Sequence, residues 1–213
     1  MLAGMTRPAL APVVRWSIGD RAARALVSEV ARRPGPKTCL LVDATPASAV
    51  LRASLEALDP ADTLAVSSPD PTAMRDHLAG LGRWVAERVR VVESPSEVDH
   101  VDVVVLAEAV TGSADQARQS LEELAKQLRP GGVVCAATAA VPALAGGAAA
   151  ELGRMSVLYG AGSDLVLRNL PPVRVHRFAW SPIDPQLLDR LEPVDRPSSV
   201  PLSRDLHLDS NGV

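Results

Sequence analysis

The sequence predicts an α/β fold, with helices covering both faces of a doubly wound, mostly parallel β-sheet that ends in an antiparallel pair of C-terminal strands. Short apolar runs alternate with helical periodicity between residues 38 and 158, a pattern typical of βαβ units. The run at residues 101–106 is apolar on both faces except at Asp102. A strand of this kind belongs in the middle of a parallel sheet that is covered on both sides.

The elements follow one another in a regular order. Strands are predicted at residues 38–42, 63–66, 89–92, 101–106 and 133–138, and helices at residues 20–33, 46–58, 71–81, 113–128 and 148–158. Two more strands, at residues 164–169 and 173–178, are joined by Leu170-Pro171-Pro172. So short a connection requires the two strands to pair in antiparallel fashion. The Gly160-Ala161-Gly162-Ser163 segment before them is predicted to be a turn.

The helix at residues 113–128 has the strongest pattern. Ser113 and Gln116 match a capping box, and the buried stripe consists of Ala117, Leu121, Leu124 and Leu128. The Arg-Pro-Gly-Gly segment at residues 129–132 is predicted to stop this helix before the next strand begins.

Length and composition favour one domain. The chain has 213 residues, of which 47% are hydrophobic and only 2% are aromatic, so its core must be built from Ala, Val and Leu. We predict a single α/β domain at residues 1–180, in which residues 1–18 are irregular. The proline-rich segment at residues 181–213 is predicted to be extended or partly disordered.

The net charge bears on the kind of partner, and the cysteines bear on the cellular compartment. The net charge is −3, with 22 basic and 25 acidic residues, which favours neither a nucleic acid nor an anionic membrane. No secretory signal and no apolar run of membrane-spanning length is apparent. Cys39 and Cys135 lie in strands predicted to be separated by a third, roughly 10 Å apart, too far for a disulfide. A reducing, cytoplasmic location is therefore expected.

Three stretches resemble the class I S-adenosylmethionine (SAM) methyltransferases, especially the small O-methyltransferase branch. Residues 121–134, L-E-E-L-A-K-Q-L-R-P-G-G-V-V, resemble the helix that ends in L-(K/R)-P-G-G and leads into the fifth strand of that family. Residues 101–106, V-D-V-V-V-L, resemble its fourth strand, and residues 75–93 resemble its helix and third strand. The resemblance covers residues 36–140 and implies a Rossmann-like fold, SAM as the cofactor and methyl transfer as the reaction.

The chain departs from this family where the family holds its cofactor. The family has a glycine-rich turn after the first strand, whereas residues 42–49 contain no glycine and include Pro46. By position, the resemblance makes Asp43, Ala44 and Thr45 candidate cofactor-binding residues. Because a side chain now stands where bare backbone approaches the ligand, close approach is expected to be hindered.

The two other departures concern the ribose and the adenine. The family has an acidic residue at the end of the second strand and often Gly-Asp after the third. This chain has Ser67 and Ser94-Pro95 at those places, which makes Ser67 and Ser94 the remaining cofactor-binding candidates. Asp70 is expected to cap the next helix instead. Loss of these charged contacts predicts weakened or lost SAM binding.

Candidate chemistry lies at the carboxyl edge of the sheet. Glu108 follows the fourth strand, where ligands bind in open α/β sheets, and is either a substrate contact or general base, or a solvated loop residue. A pocket lined by Asp43, Ser67, Glu108 and Thr138 is conceivable. The four histidines have no metal-ligand spacing with Cys, Asp or Glu, so no metal site is predicted.

Two functional hypotheses follow. The first is a divergent SAM-dependent methyltransferase acting on a small or macromolecular acceptor. The second is a non-catalytic interaction or regulatory module that keeps the methyltransferase fold, either as a homo-oligomer or with a small-molecule or protein partner that the sequence does not identify. Fold alone does not decide between them.

Overall fold

A computed structural model describes residues 17–180. The predicted irregular start of the chain, except for residues 17 and 18, and the predicted tail at residues 181–213 lie outside the described part. The helices are α1 (Asp20–Leu26), α2 (Ser28–Arg32), α3 (Ala49–Ala57), α4 (Pro71–Ala79), α5 (Arg83–Arg88), α6 (Ala114–Ala125) and α7 (Pro142–Tyr159). The strands are β1 (Thr38–Val42), β2 (Thr63–Ser67), β3 (Val89–Val92), β4 (Val101–Leu106), β5 (Leu128–Ala139), β6 (Gly160–Val166) and β7 (Val173–Ala179). No helix between residues 17 and 180 has the length and apolar character needed to cross a bilayer.

The seven strands form one sheet in the order β3-β2-β1-β4-β5-β7-β6. Strands β1 to β5 are parallel to their neighbours, and β7 runs antiparallel between β5 and β6. This topology confirms the predicted doubly wound sheet with an antiparallel C-terminal pair. Strand β4 separates Cys39 from Cys135, as predicted, and both thiols are buried and free. Burial raises the pKa of each thiol to about 12, so neither is a thiolate at neutral pH.

The two faces of the sheet carry separate cores. Helices α1 to α5 cover one face, with Leu26, Leu51 and Met74 among its buried side chains. Helices α6 and α7 cover the other face, where Leu121 and Leu152 are buried. Because the helices lie on both faces, the carboxyl ends of the parallel strands are left open at one edge, where ligands bind in such folds.

Several helices differ from the sequence prediction. Helix α7 begins at Pro142 rather than at residue 148, and its backbone is non-helical at Gly146. The helix predicted at residues 20–33 is divided at Val27, close to the point where the Ala25 carbonyl accepts hydrogen bonds from Ser28 Oγ at 2.8 Å and Arg177 Nη2 at 3.1 Å. A contact from the distant strand β7 thus coincides with the break. Helix α5 was not predicted, because its six residues, half of them apolar, are too few to show periodicity.

The Arg-Pro-Gly-Gly segment does not simply stop α6 but forms the irregular start of β5. Val101 of β4 pairs with Leu128, whereas Val103 pairs with Val133, so residues 129–132 bulge out of the ladder. Gly131 takes a φ of 78°, the left-handed region that glycine enters without strain. A Cβ on Gly132 would lie 2.9 Å from the Arg129 carbonyl oxygen and 3.0 Å from that of Val101.

We expect Gly132→Ala to lower the free energy of unfolding by about 1–3 kcal/mol, because the added methyl group meets backbone on both sides. Urea denaturation followed by circular dichroism measures the change. Gly153→Ala, in helix α7, is the matched control, because a Cβ at that position meets nothing within 4 Å. Equal stability of Gly132→Ala and the wild type would contradict the described geometry of the bulge.

The aromatic side chains of the described residues are concentrated along β7. Phe178 is fully buried, and its ring centroid lies 5.8 Å from those of His176 and Trp180. Trp180 also stacks on Tyr159 at 5.0 Å. Trp84 lies apart from this group in α5, where the Arg88 guanidinium carbon is 5.1 Å from its ring centroid.

Candidate functional site

The turn after β1 is left-handed although it contains no glycine. Asp43 has a φ of 57°, a conformation that aspartate tolerates better than most residues. Its backbone N–H donates to Ser67 Oγ at 3.2 Å, and the Ala44 N–H donates to the Ser67 carbonyl at 3.0 Å. Asp43 is exposed, Ala44 is fully buried, and Thr45 is exposed further along the turn. The backbone therefore turns sharply at this edge with an aspartate at the left-handed position.

Ser67, at the end of β2, lies beneath this turn. Its side chain is buried, and its hydroxyl oxygen accepts the Asp43 N–H. Asp70 follows and accepts a hydrogen bond from the Ala73 N–H at 2.9 Å, which caps α4. The predicted helix-capping role of Asp70 is confirmed, and the serine at the end of β2 serves to tie two strand ends together.

Ser94, after β3, caps a short 3-10 turn. Its hydroxyl accepts the Ser96 N–H at 3.3 Å, and its own N–H donates to the Glu97 carboxylate at 2.8 Å. Pro95 follows it and points toward the neighbouring cleft, which it helps to line. The segment after β3 thus presents a proline ring to that cleft, while the serine side chain is used locally.

Backbone hydrogen bonds fix the loop between β4 and α6 at three points. The Ala107 N–H donates to the Val42 carbonyl at 2.9 Å, and the Val110 N–H donates to the Ala137 carbonyl at 2.8 Å. The Ala148 N–H, in α7, donates to the Gly112 carbonyl at 3.1 Å. The loop carries Glu108, which is exposed, and holds it between the ends of β1 and β5.

A cleft of about 370 Å³ opens at the carboxyl ends of β1 and β4. Its volume falls within the roughly 300–1,000 Å³ of small-molecule sites. Its lining combines an apolar floor with a polar rim and consists of Val42, Asp43, Pro95, Leu106, Glu108, Ala109, Val110, Thr111, Gln116, Ala117, Ser120 and Leu124.

The cleft brings together only part of the predicted pocket. Asp43 and Glu108 both line it, so two carboxylates share its rim and favour a ligand that carries positive charge. Ser67 lies under the turn, and Thr138 lines a separate cavity. Among residues 17–180, no group of three or more His, Cys, Asp or Glu side chains is arranged to hold a metal ion.

Sequence reasoning did not identify the contribution of α6 to the cleft. Gln116 and Ser120 line it one helical turn apart, and Gln116 had been interpreted only as half of the capping box, which the structure confirms. The available signal was the position of α6, because the helix that follows a central strand begins at the ligand-binding edge of such a sheet.

Several solved structures that are similar to this chain are methyltransferases. The glycopeptide N-methyltransferase MtfA complexed with SAM is similar at a TM-score of 0.58 and 14% identity, over 82% of this chain and all of MtfA. The precorrin-6y C5,15-methyltransferase of Geobacter metallireducens is similar at 0.51 and 19% identity, over 74% of this chain and 87% of that enzyme. The O-methyltransferase TomG of Streptomyces achromogenes, in complex with SAM, is similar at 0.51 and 14% identity, over 75% and 79% of the two chains.

No protein-family model and no curated protein sequence matches the chain. The structural similarity, together with the strand order, shows that the chain has the fold of the class I SAM-dependent methyltransferases. At identities below 20% the similarity concerns the fold, and the chemistry has to be argued from the residues at the cleft.

The cleft fits SAM in size and charge but not in every contact. The open volume beside Asp43 is large enough for a small-molecule ligand, and the two carboxylates at the rim match the positive charges of the SAM sulfonium and ammonium groups. The buried side chain at the end of β2 is a serine, so the charged acceptor for the ribose hydroxyls is missing there.

Proposed function

We propose that the chain is a divergent methyltransferase that binds SAM, with weakened affinity, in the cleft between β1 and β4. The observation that carries the proposal is that this cleft is open, although the glycines that line it in the family are absent from the sequence. The left-handed turn at Asp43 and the burial of the Ala44 side chain keep the strand end clear.

The weakening follows from the end of β2. A charged hydrogen bond contributes about 1.5–3 kcal/mol, so its absence costs roughly one to two orders of magnitude in affinity. The Ser67 hydroxyl does not replace it, because it is uncharged and lies buried beneath the Asp43 turn, outside the lining of the cleft. Ser94 is used in capping its own turn.

The residues that line the cleft would have different roles in binding and catalysis. Asp43 pairs with positive charge on the cofactor, and the apolar floor formed by Val42 and Leu106 excludes water. SAM supplies a methyl group activated by its sulfonium. Glu108, at the rim beside the cleft, accepts the proton that a hydroxyl or amine acceptor loses, and the cleft contributes mainly by positioning the two reactants.

The second candidate is a non-catalytic module on the same scaffold. The observation that favours it is that Ser67, in place of the ribose-binding acid, and Ser94, in the segment that replaces Gly-Asp, are both engaged in local hydrogen bonds. Under this hypothesis, the cleft would not bind SAM or S-adenosylhomocysteine even at millimolar concentration.

Isothermal titration calorimetry with SAM and S-adenosylhomocysteine separates the two candidates. We expect binding by the wild type in the micromolar to submillimolar range. Ser120→Trp should abolish it, because Ser120 lines the cleft and an indole ring fills much of the space. The matched control is Gln119→Trp, next to it on the exposed side of α6, which should bind normally. The absence of binding heat from the wild type with either ligand at millimolar concentration would contradict the proposal.

The same titration tests the cause of the weakening. Ser67→Asp places a carboxylate at the end of β2 and should tighten S-adenosylhomocysteine binding by about tenfold or more. Ser67→Asn has nearly the same shape without the charge and should not tighten it. Melting temperatures of both variants show whether the buried substitution is tolerated. Equal affinities of two folded variants would show that the missing charge is not the cause.

A further inference from the structure

A second cavity, of about 250 Å³, lies on the other side of the β4–α6 loop between helix α7 and the antiparallel end of the sheet. Its lining comes from four elements: Thr138, Ala139 and Ala140 of the β5 end, Ala149, Gly153 and Ser156 of α7, Ser163 of β6, and Arg174 and His176 of β7. The proposed SAM site uses none of these residues, so this cavity is a separate feature of the molecule.

Strand register places the polar groups of the cavity on one face of the sheet. Thr138 of β5 pairs directly with Arg174 of β7, and Ser163 of β6 pairs with His176 of β7. Arg174 and His176 are two residues apart, so their side chains project to the same side. Three neighbouring strands therefore direct a guanidinium, an imidazole and two hydroxyl groups at α7.

The hydrogen bonds of His176 define which ring nitrogen carries the proton and which one accepts a hydrogen bond. Ser156 Oγ lies 2.8 Å from the Leu152 carbonyl oxygen and must donate its proton there. The bond of 2.8 Å between Ser156 Oγ and His176 Nδ1 therefore takes its proton from the ring. This leaves Nε2 as an acceptor, 3.4 Å from Thr138 Oγ1. Burial, and secondarily the charge of Arg174, lower the pKa of His176 to about 4, so the ring is neutral at neutral pH.

Helix α7 leaves room opposite this wall. Ala149, Gly153 and Ser156 lie on one helical face, and a Cβ built on Gly153 has no heavy atom within 4 Å. The small residues therefore leave a gap that a larger side chain at position 153 would fill. The space is smaller than the roughly 300 Å³ at the lower end of drug-sized sites, so its ligand has to be short.

We propose that this cavity binds a short-chain hydroxy acid, whose carboxylate pairs with Arg174 and whose hydroxyl donates to Thr138 Oγ1, the oxygen that itself donates to His176 Nε2. Arg174 is exposed and forms no ion pair with the residues between 17 and 180, and a guanidinium favours a carboxylate partner. The Ser163 hydroxyl, opposite His176 on β6, is a further donor for the carboxylate. Alanine and glycine supply the apolar wall for the short carbon chain. The proposal does not depend on SAM binding.

The test measures binding of 3-hydroxybutyrate to the full chain without SAM, by saturation-transfer NMR and calorimetry. Butyrate, which has the same chain and carboxylate without the hydroxyl, is the matched ligand. We expect 3-hydroxybutyrate to bind about tenfold more tightly than butyrate, because the hydroxyl makes one extra hydrogen bond to the buried Thr138 oxygen. Equal affinity of the two ligands, or no binding of either at millimolar concentration, would overturn the proposal.

Two variants locate the ligand. Gly153→Leu should abolish binding by filling the cavity, whereas Gly153→Ala should keep it, since a Cβ alone meets nothing. Arg174→Gln removes the positive charge from an exposed position and should weaken binding about tenfold without affecting the fold. Unchanged affinity in Arg174→Gln would refute the carboxylate contact, even if Gly153→Leu failed to fold.

Discussion

Asp62→Ala is expected to lower the free energy of unfolding by about 3–5 kcal/mol, the largest stability effect we predict. The side chains of Asp62 and Lys37 are 0% and 2% exposed, and Lys37 Nζ lies 2.7 Å from Asp62 Oδ2. Asp62 also accepts the Lys37 N–H at 3.2 Å and the Asp59 N–H at 2.7 Å. Its loss would leave a buried ammonium and two backbone donors without their main acceptor.

Charge on Lys37 persists at neutral pH. Burial by itself lowers the pKa of Lys37, but its hydrogen bonds to Asp62 and Asp59 and the charges of these two residues outweigh burial and raise the pKa above its ordinary value. The variant therefore has to keep a buried positive charge or neutralise it, and either alternative costs free energy.

Urea denaturation of the wild type and three variants measures this effect. Asp59→Ala is the matched control, because Asp59 is 67% exposed and pairs with the same ammonium at 3.2 Å, so its loss should cost about 1 kcal/mol or less. Lys37→Met combined with Asp62→Ala should be more stable than Asp62→Ala alone, since the buried charge is then gone. If Asp62→Ala unfolded at the same urea concentration as the wild type, this ion pair would not be what holds the ends of β1 and β2 together.

Acid is expected to destabilise the protein through His176, by up to about 3 kcal/mol. The folded-state pKa of His176 is lowered from 6.5 to about 4 by burial and by Arg174. Between these two pH values the unfolded chain binds a proton on this histidine and the folded chain does not. The stabilisation is therefore fully present above pH 6.5 and is lost as the pH falls toward 4.

The contribution of His176 to stability is measured by thermal and urea unfolding of the wild type and His176→Gln at several pH values between 4 and 6.5. The variant should be less stable at pH 7, because it loses the bonds to Ser156 and Thr138, but the difference should shrink as the pH falls. Parallel stability curves for the two proteins across the window would contradict the burial of a neutral imidazole.

Most of the fold was predictable because local and tertiary preferences agree. The apolar strands β1, β2 and β4 and the capped helix α6 are specified by their own residues, and the topology of parallel strands restricts how they connect. Strand β6 was predicted to begin at residue 164 but begins at Gly160. Two glycines argue against a strand, yet backbone pairing with β7 overrides that preference.

The position of the cleft was predictable from the sequence, but most of its lining was not. Asp43 and Glu108 were placed at the correct edge because the carboxyl ends of parallel strands meet there. The directions of the side chains could not be predicted, because they depend on strand register. Thr138, for example, faces α7 beside Arg174, away from the cleft. The cavity under α7 could not be predicted, because it forms between residues far apart in sequence. Its space depends on Gly153, which has no side chain to fill it.

The placement of the aromatic residues has a practical consequence for spectroscopy. Of the described tryptophans, Trp180 stacks on Tyr159 next to the edge strand β6 and Trp84 lies under a guanidinium in the short helix α5, while the aliphatic centre of the parallel sheet contains no indole. The fluorescence of Trp84 and Trp180 will therefore report on the margins of the described domain, and far-ultraviolet dichroism on its helices and strands. Where the two signals diverge during unfolding, the divergence will measure fraying of these margins and does not by itself indicate an intermediate of the whole chain.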